Sequence, residues 1–292
     1  GDGQLLIQGL CVHADAHRTQ LNGAVQEKLK ALPIQYVDYS TWEDKINKSN
    51  VAEKMGGYWI NKFKDCEFLQ LNLPYDYKIS ANRKYEGSRI SKVIDEKTFK
   101  KIEEYARKVG VSPYMLFVSA FFILLYKYTG QKDITVGTPT ANRDKIETKD
   151  MIGMFVNNLV LRGKINSEDT VLSFLNDIKE QILDDLLNQS YPFDMLVRKL
   201  GIKGDNSRNP LFDVMFIYQN QEDVEIKDGK IIEIDNRISK FNLSLEIKPK
   251  SYTISIEYCT DLFKKQTIDR LFEHYINVID SILLDINVKI KD

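Results

Sequence analysis

Thirteen consecutive uncharged residues, Tyr114 to Tyr126 (YMLFVSAFFILLY), constrain this chain more than any other feature. A bilayer span needs about 20 apolar residues, and Lys127 ends the run short of that. The segment therefore predicts a helix buried in a protein core. Ser112 is placed to cap its first turn, Pro113 suits the first helical position, and Gly130 supplies a stop. No basic stretch precedes Leu5-Leu6-Ile7, so no secretory leader is read there. A cytoplasmic protein without a membrane partner is the expectation.

A helix buried all round needs layers of structure around it, and 292 residues with 43% hydrophobic content can supply them. A loop is predicted over residues 72–88 and a strand over Ile90 to Ile94. A helix follows from Glu96 to Lys108, with Phe99, Ile102, Ala106 and Val109 on one face. A strand covers Asp133 to Gly137 and another Phe155 to Arg162. Ser167 is read as the cap of a long helix reaching Leu187, striped by Phe174, Ile178, Ile182 and Leu186. Pro192 opens a shorter helix that Gly201 ends. Strands are then predicted over Phe212 to Tyr218, Phe241 to Ile247 and Tyr252 to Tyr258, with a hairpin from Val224 to Ile234 turning at Asp228-Gly229. A last helix spans Thr267 to Leu284, carrying Ile268, Phe272, Tyr275, Ile279 and Ile282 at helical spacing. Helices interleaved with strands imply an α/β (α+β) fold, a mixed β-sheet flanked by helices.

Several chemistries are disfavoured. The three cysteines, Cys11, Cys66 and Cys259, are too scattered for a disulfide framework or a CxxC metal pattern. His13 and His17 have HxxxH spacing, but Ala14 stands where a zincin needs glutamate, and no third ligand is evident. No metal site is expected. His274 falls on the polar side of the last helix and reads as a surface residue. The serine-elbow, Walker A and dinucleotide-binding glycine patterns are absent. Gly137 to Arg143 (GTPTANR) reads as a strand end followed by a turn, because Pro139 removes a backbone donor. With 41 basic and 42 acidic residues intermixed, nothing favours nucleic acid.

Four stretches are costly for structure alone. Tyr36 to Trp42 (YVDYSTW) crowds three aromatics around Asp38. Ile152 to Asn158 (IGMFVNN) sets two amides in an apolar strand pattern, where they need buried partners or a ligand. Asn188 to Asp194 (NQSYPFD) stacks turn formers at a helix junction, and Asp205 to Leu211 (DNSRNPL) is a charged turn leading into a strand. Together they point to a cleft.

These stretches resemble, in the same order, the later core motifs of condensation domains of nonribosomal peptide synthetases: YxDYxxW, IGxFVNxxxxR, (H/N)QxxPF(E/D) and DxSRNPL. Flanking phrases resemble the family too: LPIQYVDY from Leu32, YW at Tyr58, VGTPTANR from Val136, LFDVMFIYQN from Leu211 and YCTDLF from Tyr258. The likeness covers about residues 30 to 292.

The resemblance implies a lobe like a chloramphenicol acetyltransferase protomer, the C-terminal one of two forming a V-shaped pseudodimer. It implies amide formation between a donor thioester and an acceptor aminoacyl group. Both would ride on the phosphopantetheine arms of carrier proteins and meet in a tunnel between the lobes. No cofactor would bind the chain directly. Its partners would be the N-terminal lobe, peptidyl carrier proteins and an adenylation domain. The tunnel and motif residues carried over are Tyr36, Asp38, Trp42, Gly153, Phe155, Asn157, Asn188, Gln189, Pro192, Phe193, Ser207, Arg208, Asn209 and Pro210. Asn157 and Gly153 are expected on a strand approaching the tunnel, with Gly153 allowing close backbone approach. Pro192 and Phe193 are expected to fix a helix start. Arg208 is read either as a tunnel residue or as an ion-pair partner of Asp205 or Asp213.

The family's HHxxxDG site is missing, so no catalytic residue is assigned and the isolated chain is expected to be inactive. Asp2-Gly3 stands about thirty residues before Leu32-Pro33, the distance at which the family places the DG of that site. Residues 1–30 are read as the remnant following the histidines or as a segment of foreign origin, and residues 31–292 as the lobe. The alternatives are a non-catalytic lobe that docks carrier proteins, an epimerisation relative, and an acyltransferase assembled as an oligomer.

Overall fold

The computed structural model describes residues 32–68, 70–79, 84–202, 209–220 and 237–292. His13, His17, Cys11, the 224–234 hairpin and residues 205–208 lie outside them.

The chain divides into two compact units, one holding residues 32–54 and 141–156 among those described, the other residues 55–140 and 157–292. The first contains helix α1 (Tyr36–Asn47) and the start of helix α2 (Asn50–Phe63). Its small core joins Tyr39, Met151 and Phe155, with Leu32, Ile34 and Tyr36 packed against them.

The second unit is built on six strands: β1 (Gly87–Val93), β2 (Asp133–Thr140), β3 (Asn157–Lys164), β4 (Val214–Tyr218), β5 (Leu243–Lys248) and β6 (Thr253–Cys259). Their order is β1-β6-β5-β4-β2-β3. The β1/β6, β5/β6 and β2/β3 pairs are antiparallel, and β4 runs parallel to both β5 and β2. The helices are α3 (Glu96–Lys108), α4 (Pro113–Thr129), α5 (Val171–Leu187), α6 (Phe193–Lys199) and α7 (Lys265–Leu284). The mixed sheet flanked by helices agrees with the sequence reading.

The uncharged run is α4, buried from Met115 through Leu125. Ser112 Oγ accepts from the Met115 amide at 3.2 Å, and Gly130 closes the helix at φ 68°. Among the described residues no single helix is long and apolar enough to cross a membrane. Helix α3 has the predicted bounds and a cap from Asp95, and α7 buries all five of its predicted stripe residues.

Several boundaries differ. Strand β1 starts at Gly87, inside the predicted loop, and β2 runs on to Thr140 because Pro139 pairs within the antiparallel register opposite Asn158. Strand β3 begins at Asn157, so Gly153 and Phe155 precede it and do not lie on a strand. The cap of α5 is Thr170, not Ser167. Ser167 is held outside the helix, its carbonyl accepting from the Lys291 amide at 3.1 Å. Leu186 leaves the buried stripe at 43% exposure, and Asp185 takes that place at 0%.

The outer edge of β3 is occupied by side chains. Gln181 of α5 accepts from Arg162 N at 2.8 Å and donates to Arg162 O at 2.6 Å, and Lys62 of α2 donates to Val160 O at 3.0 Å.

Candidate functional site

The motif residues fall into two groups, one in each unit. In the first unit, Gln35 and Asp38 form a reciprocal cap at the start of α1, with Asp38 Oδ2 accepting from Gln35 N at 2.8 Å. Asp38 thus fixes where the helix begins. That aims Tyr36 and Tyr39 at Phe155, at ring-centroid distances of 5.4 and 4.6 Å. Trp42 packs 5.7 Å from Tyr39 yet stays 41% exposed. The Tyr36 hydroxyl donates to Met154 O at 2.9 Å, laying its ring across Gly153. A Cβ on Gly153 would sit 2.2 Å from that ring, so this crossing requires glycine. Arg143 places its guanidinium 4.1 Å over the Phe155 ring and donates to the carbonyls of Thr148 and Met151. Burial, then Glu43, whose carboxylate accepts the phenol proton at 3.2 Å, push the Tyr39 phenol well above its usual range.

In the second unit, Asn157 opens β3 and spends its whole side chain on the turn between α5 and α6. Its Nδ2 donates to Gln189 O at 2.8 Å and Tyr191 O at 2.7 Å, and its Oδ1 accepts from Phe193 N at 3.2 Å. Two predicted motifs thereby become one construction. Thr140 Oγ1 donates to Gln189 Oε1 at 2.5 Å, and Trp59 Nε1 donates to Asn188 O at 3.1 Å. Pro192 stands as the residue before α6, as predicted, and Phe193 packs 5.8 Å from Phe212. Asn209 donates to Lys240 O at 3.4 Å, and Asn209 and Pro210 are half-buried. Ser207 and Arg208 lie outside the described residues.

Beneath the turn is a buried ionic group that the sequence reading missed. Lys62 Nζ meets both Asp185 oxygens at 2.6 and 2.7 Å, and Tyr58 donates to Asp185 Oδ1 at 2.7 Å. Burial lowers the Lys62 ammonium to about 8, against the pull of Asp185, and raises the Asp185 carboxyl. It also raises the Tyr58 phenol, helped by the Asp185 charge. Lys62 spends its three donors on Val160 O and the two carboxylate oxygens, so the pair is structurally saturated. Next to it, Arg162 grips Asp133 with two bonds at 2.8 and 2.6 Å and reaches Asp65 at 2.7 Å. The available signal was Asp185 itself, since the Phe174–Ile178–Ile182 period reaches residue 185 as readily as 186. Among the described residues no cluster of metal-ligating side chains occurs. His274 is exposed, as expected, with Nδ1 2.8 Å from the Tyr128 hydroxyl.

Comparison with known proteins agrees with the motif reading. The family described as "Condensation domain" matches residues 17–292. Gramicidin S synthase 2 of Brevibacillus brevis is 38% identical over 264 residues, 88% of this chain and 6% of that protein. Bacitracin synthase 3 of Bacillus licheniformis is 40% identical over 262 residues, 88% of this chain and 4% of that protein. The chain thus spans only a small part of these relatives. Among solved structures, the condensation domain of the Monacolin K polyketide synthase MokA superposes with a TM-score of 0.80 at 20% identity, covering 93% of this chain and 66% of that one. The X-domain from teicoplanin biosynthesis gives a TM-score of 0.80 at 19% identity, covering 95% and 65%. From its motifs, its sheet and these likenesses, the chain belongs to the condensation-domain family.

Proposed function

We propose that residues 31–292 are the C-terminal lobe of a condensation domain in a nonribosomal peptide synthetase, acting in amide formation. In that reaction the amine of an aminoacyl group on one carrier protein attacks the thioester carbon of a donor on another. A C–N bond forms, the C–S bond breaks, and the thiol of the donor's phosphopantetheine arm leaves with the proton. The arms belong to the tethered substrates.

The observation that carries this reading is the Asn157 clamp, which joins the FVN and NQSYPF motifs through three hydrogen bonds. A fixed turn suits a wall that holds two reactants in register, and proximity is worth about 7–11 kcal/mol. Large apolar side chains in the first unit are open to solvent, Ile146 at 84%, Val37 at 66% and Ile152 at 51%. Such exposure supports a covering partner, assigned here to the N-terminal lobe. The family's tunnel role is assigned to the motif residues, Ser207 and Arg208 included. The histidine site is assigned to sequence before Gly1, with residues 1–30 as the link. Carrier proteins and an adenylation domain are the remaining partners, and the cytoplasm is the compartment.

The test is dipeptide formation from two loaded carrier proteins. The chain alone is expected to give no product, and a domain that adds a histidine-bearing N-terminal lobe is expected to give it. Product from the chain alone would overturn the assignment, as would an inert completed domain.

A further inference from the structure

At the end of the β2/β3 pair, two strand termini hold one residue of the turn after α5. Thr140 and Asn157 stand opposite each other as the last pair of that ladder. Thr140 Oγ1 donates to Gln189 Oε1, and Asn157 Nδ2 donates to Gln189 O. The Gln189 backbone amide donates to Leu186 O at 3.4 Å as α5 ends. Main chain and side chain of Gln189 are thus fixed from separate directions.

A glutamine side chain has one acceptor oxygen and two donors on nitrogen. Thr140 takes the oxygen. Among the described residues Nε2 has no hydrogen-bond partner, yet it is not sealed inside, because Gln189 is half-buried and Nε2 is not one of the buried orphan atoms. Its neighbours in the turn look inward. Asn188 donates to Asp184 O at 2.9 Å and accepts at its carbonyl from Trp59, while Asn157 takes Tyr191 O and Phe193 N. Gln189 Nε2 is therefore a donor that the construction of the turn does not use.

A free glutamine side chain loses rotamer entropy when it binds something. Here Thr140 already holds it in place, and a donor positioned beforehand binds at lower cost. Carboxylates and phosphates favour charged donors, so a neutral amide suits a neutral carbonyl oxygen. A substrate chain drawn from water into a passage needs such donors, since its carbonyl oxygens lose their hydration. We propose that Gln189 is a substrate-binding residue whose Nε2 donates to a carbonyl oxygen of the tethered chain, either an amide of the phosphopantetheine arm or the thioester, with Thr140 as the residue that positions it. This inference rests on the tunnel role assigned above to the NQSYPF motif.

The test uses the domain completed by an N-terminal lobe. The side-chain amide signals of Gln189 are followed by NMR and identified by their loss in Gln189→Glu. Titration with S-acetylpantetheine, which carries both amides of the arm and a thioester, should move them to saturation. Movement with pantetheine as well assigns the oxygen to the arm, and movement with the thioester alone assigns it to the thioester. Signals that stay in place with both probes would overturn the proposal. In dipeptide formation, Gln189→Glu keeps an acceptor for Thr140 but loses the donors. It should lower kcat/KM about fivefold, through KM for an arm contact and through kcat for a thioester contact, while the thermal melt stays close to that of the parent. Gln189→Met is the second variant should the first fold poorly. Unchanged kcat/KM in both variants would overturn the proposal. A parent domain in which the Gln189 signals move but no dipeptide forms would overturn the function proposed above and leave the binding inference standing.

Discussion

Asn157 illustrates how much one amide can organise. It satisfies two carbonyls and one amide of a turn more than thirty residues away. Truncation strands those groups in a half-buried site, at about 1–3 kcal/mol for each left unsatisfied. Asn157→Ala is therefore expected to lower unfolding free energy by about 2 kcal/mol or more in urea denaturation. Tyr191, in the same turn, predicts the opposite. Its ring is buried, and its hydroxyl has no hydrogen-bond partner among the described residues. Removing an unpaired buried hydroxyl removes a desolvation cost. Tyr191→Phe should leave stability unchanged or raise it by up to about 1 kcal/mol in the same measurement, and a loss above that would show that the hydroxyl has a partner.

Among elements, α2 and α5 are locked by the Lys62–Asp185 pair, whose side chains are 8% and 1% exposed. Removing one partner of a buried pair leaves a charge uncompensated, at about 3–5 kcal/mol, whereas an apolar replacement of both is often tolerated. Asp185→Ala should thus destabilise far more than the double change Lys62→Met with Asp185→Leu, as the ordering of their melting temperatures would show. The pair also sets a pH dependence. Lys62 titrates near 8 folded and near 10.5 unfolded, so between those values the unfolded chain holds the extra proton. Stability relative to Lys62→Met should rise with pH across that window, and a fall there would contradict the assignment.

These elements also show what a sequence can disclose. Helices α3 and α7 were legible because their burial follows a 3.6-residue period, and α4 because an uncharged run of helical length lies between a capping Ser112 and the breaker Gly130. Helix α1 was not, because only Tyr39 of its twelve residues is buried and no apolar stripe exists to read. The amides of the FVNN stretch were legible as groups needing partners. Which carbonyls Asn157 would find was not, and neither was the Lys62–Asp185 contact across 123 residues. Such pairings depend on tertiary placement, which local patterns do not encode.

For the molecule as a whole, the two units differ greatly in core size. The first unit's described core has three buried residues, while the second packs helices on its six-stranded sheet. Local opening costs less where fewer apolar contacts must break. Amide hydrogen exchange is therefore expected to be faster in α1 than in α4, and equal protection of the two would refute the difference. The outer edge of β3 has a consequence of its own. A sheet border normally offers bare peptide groups on which another polypeptide can crystallise a strand, the first step toward fibrils. Here Gln181 answers the amide and carbonyl of Arg162, and Lys62 answers Val160 O. Side chains thus act as a permanent hem on the sheet, sealing those groups against recruitment of foreign β-structure.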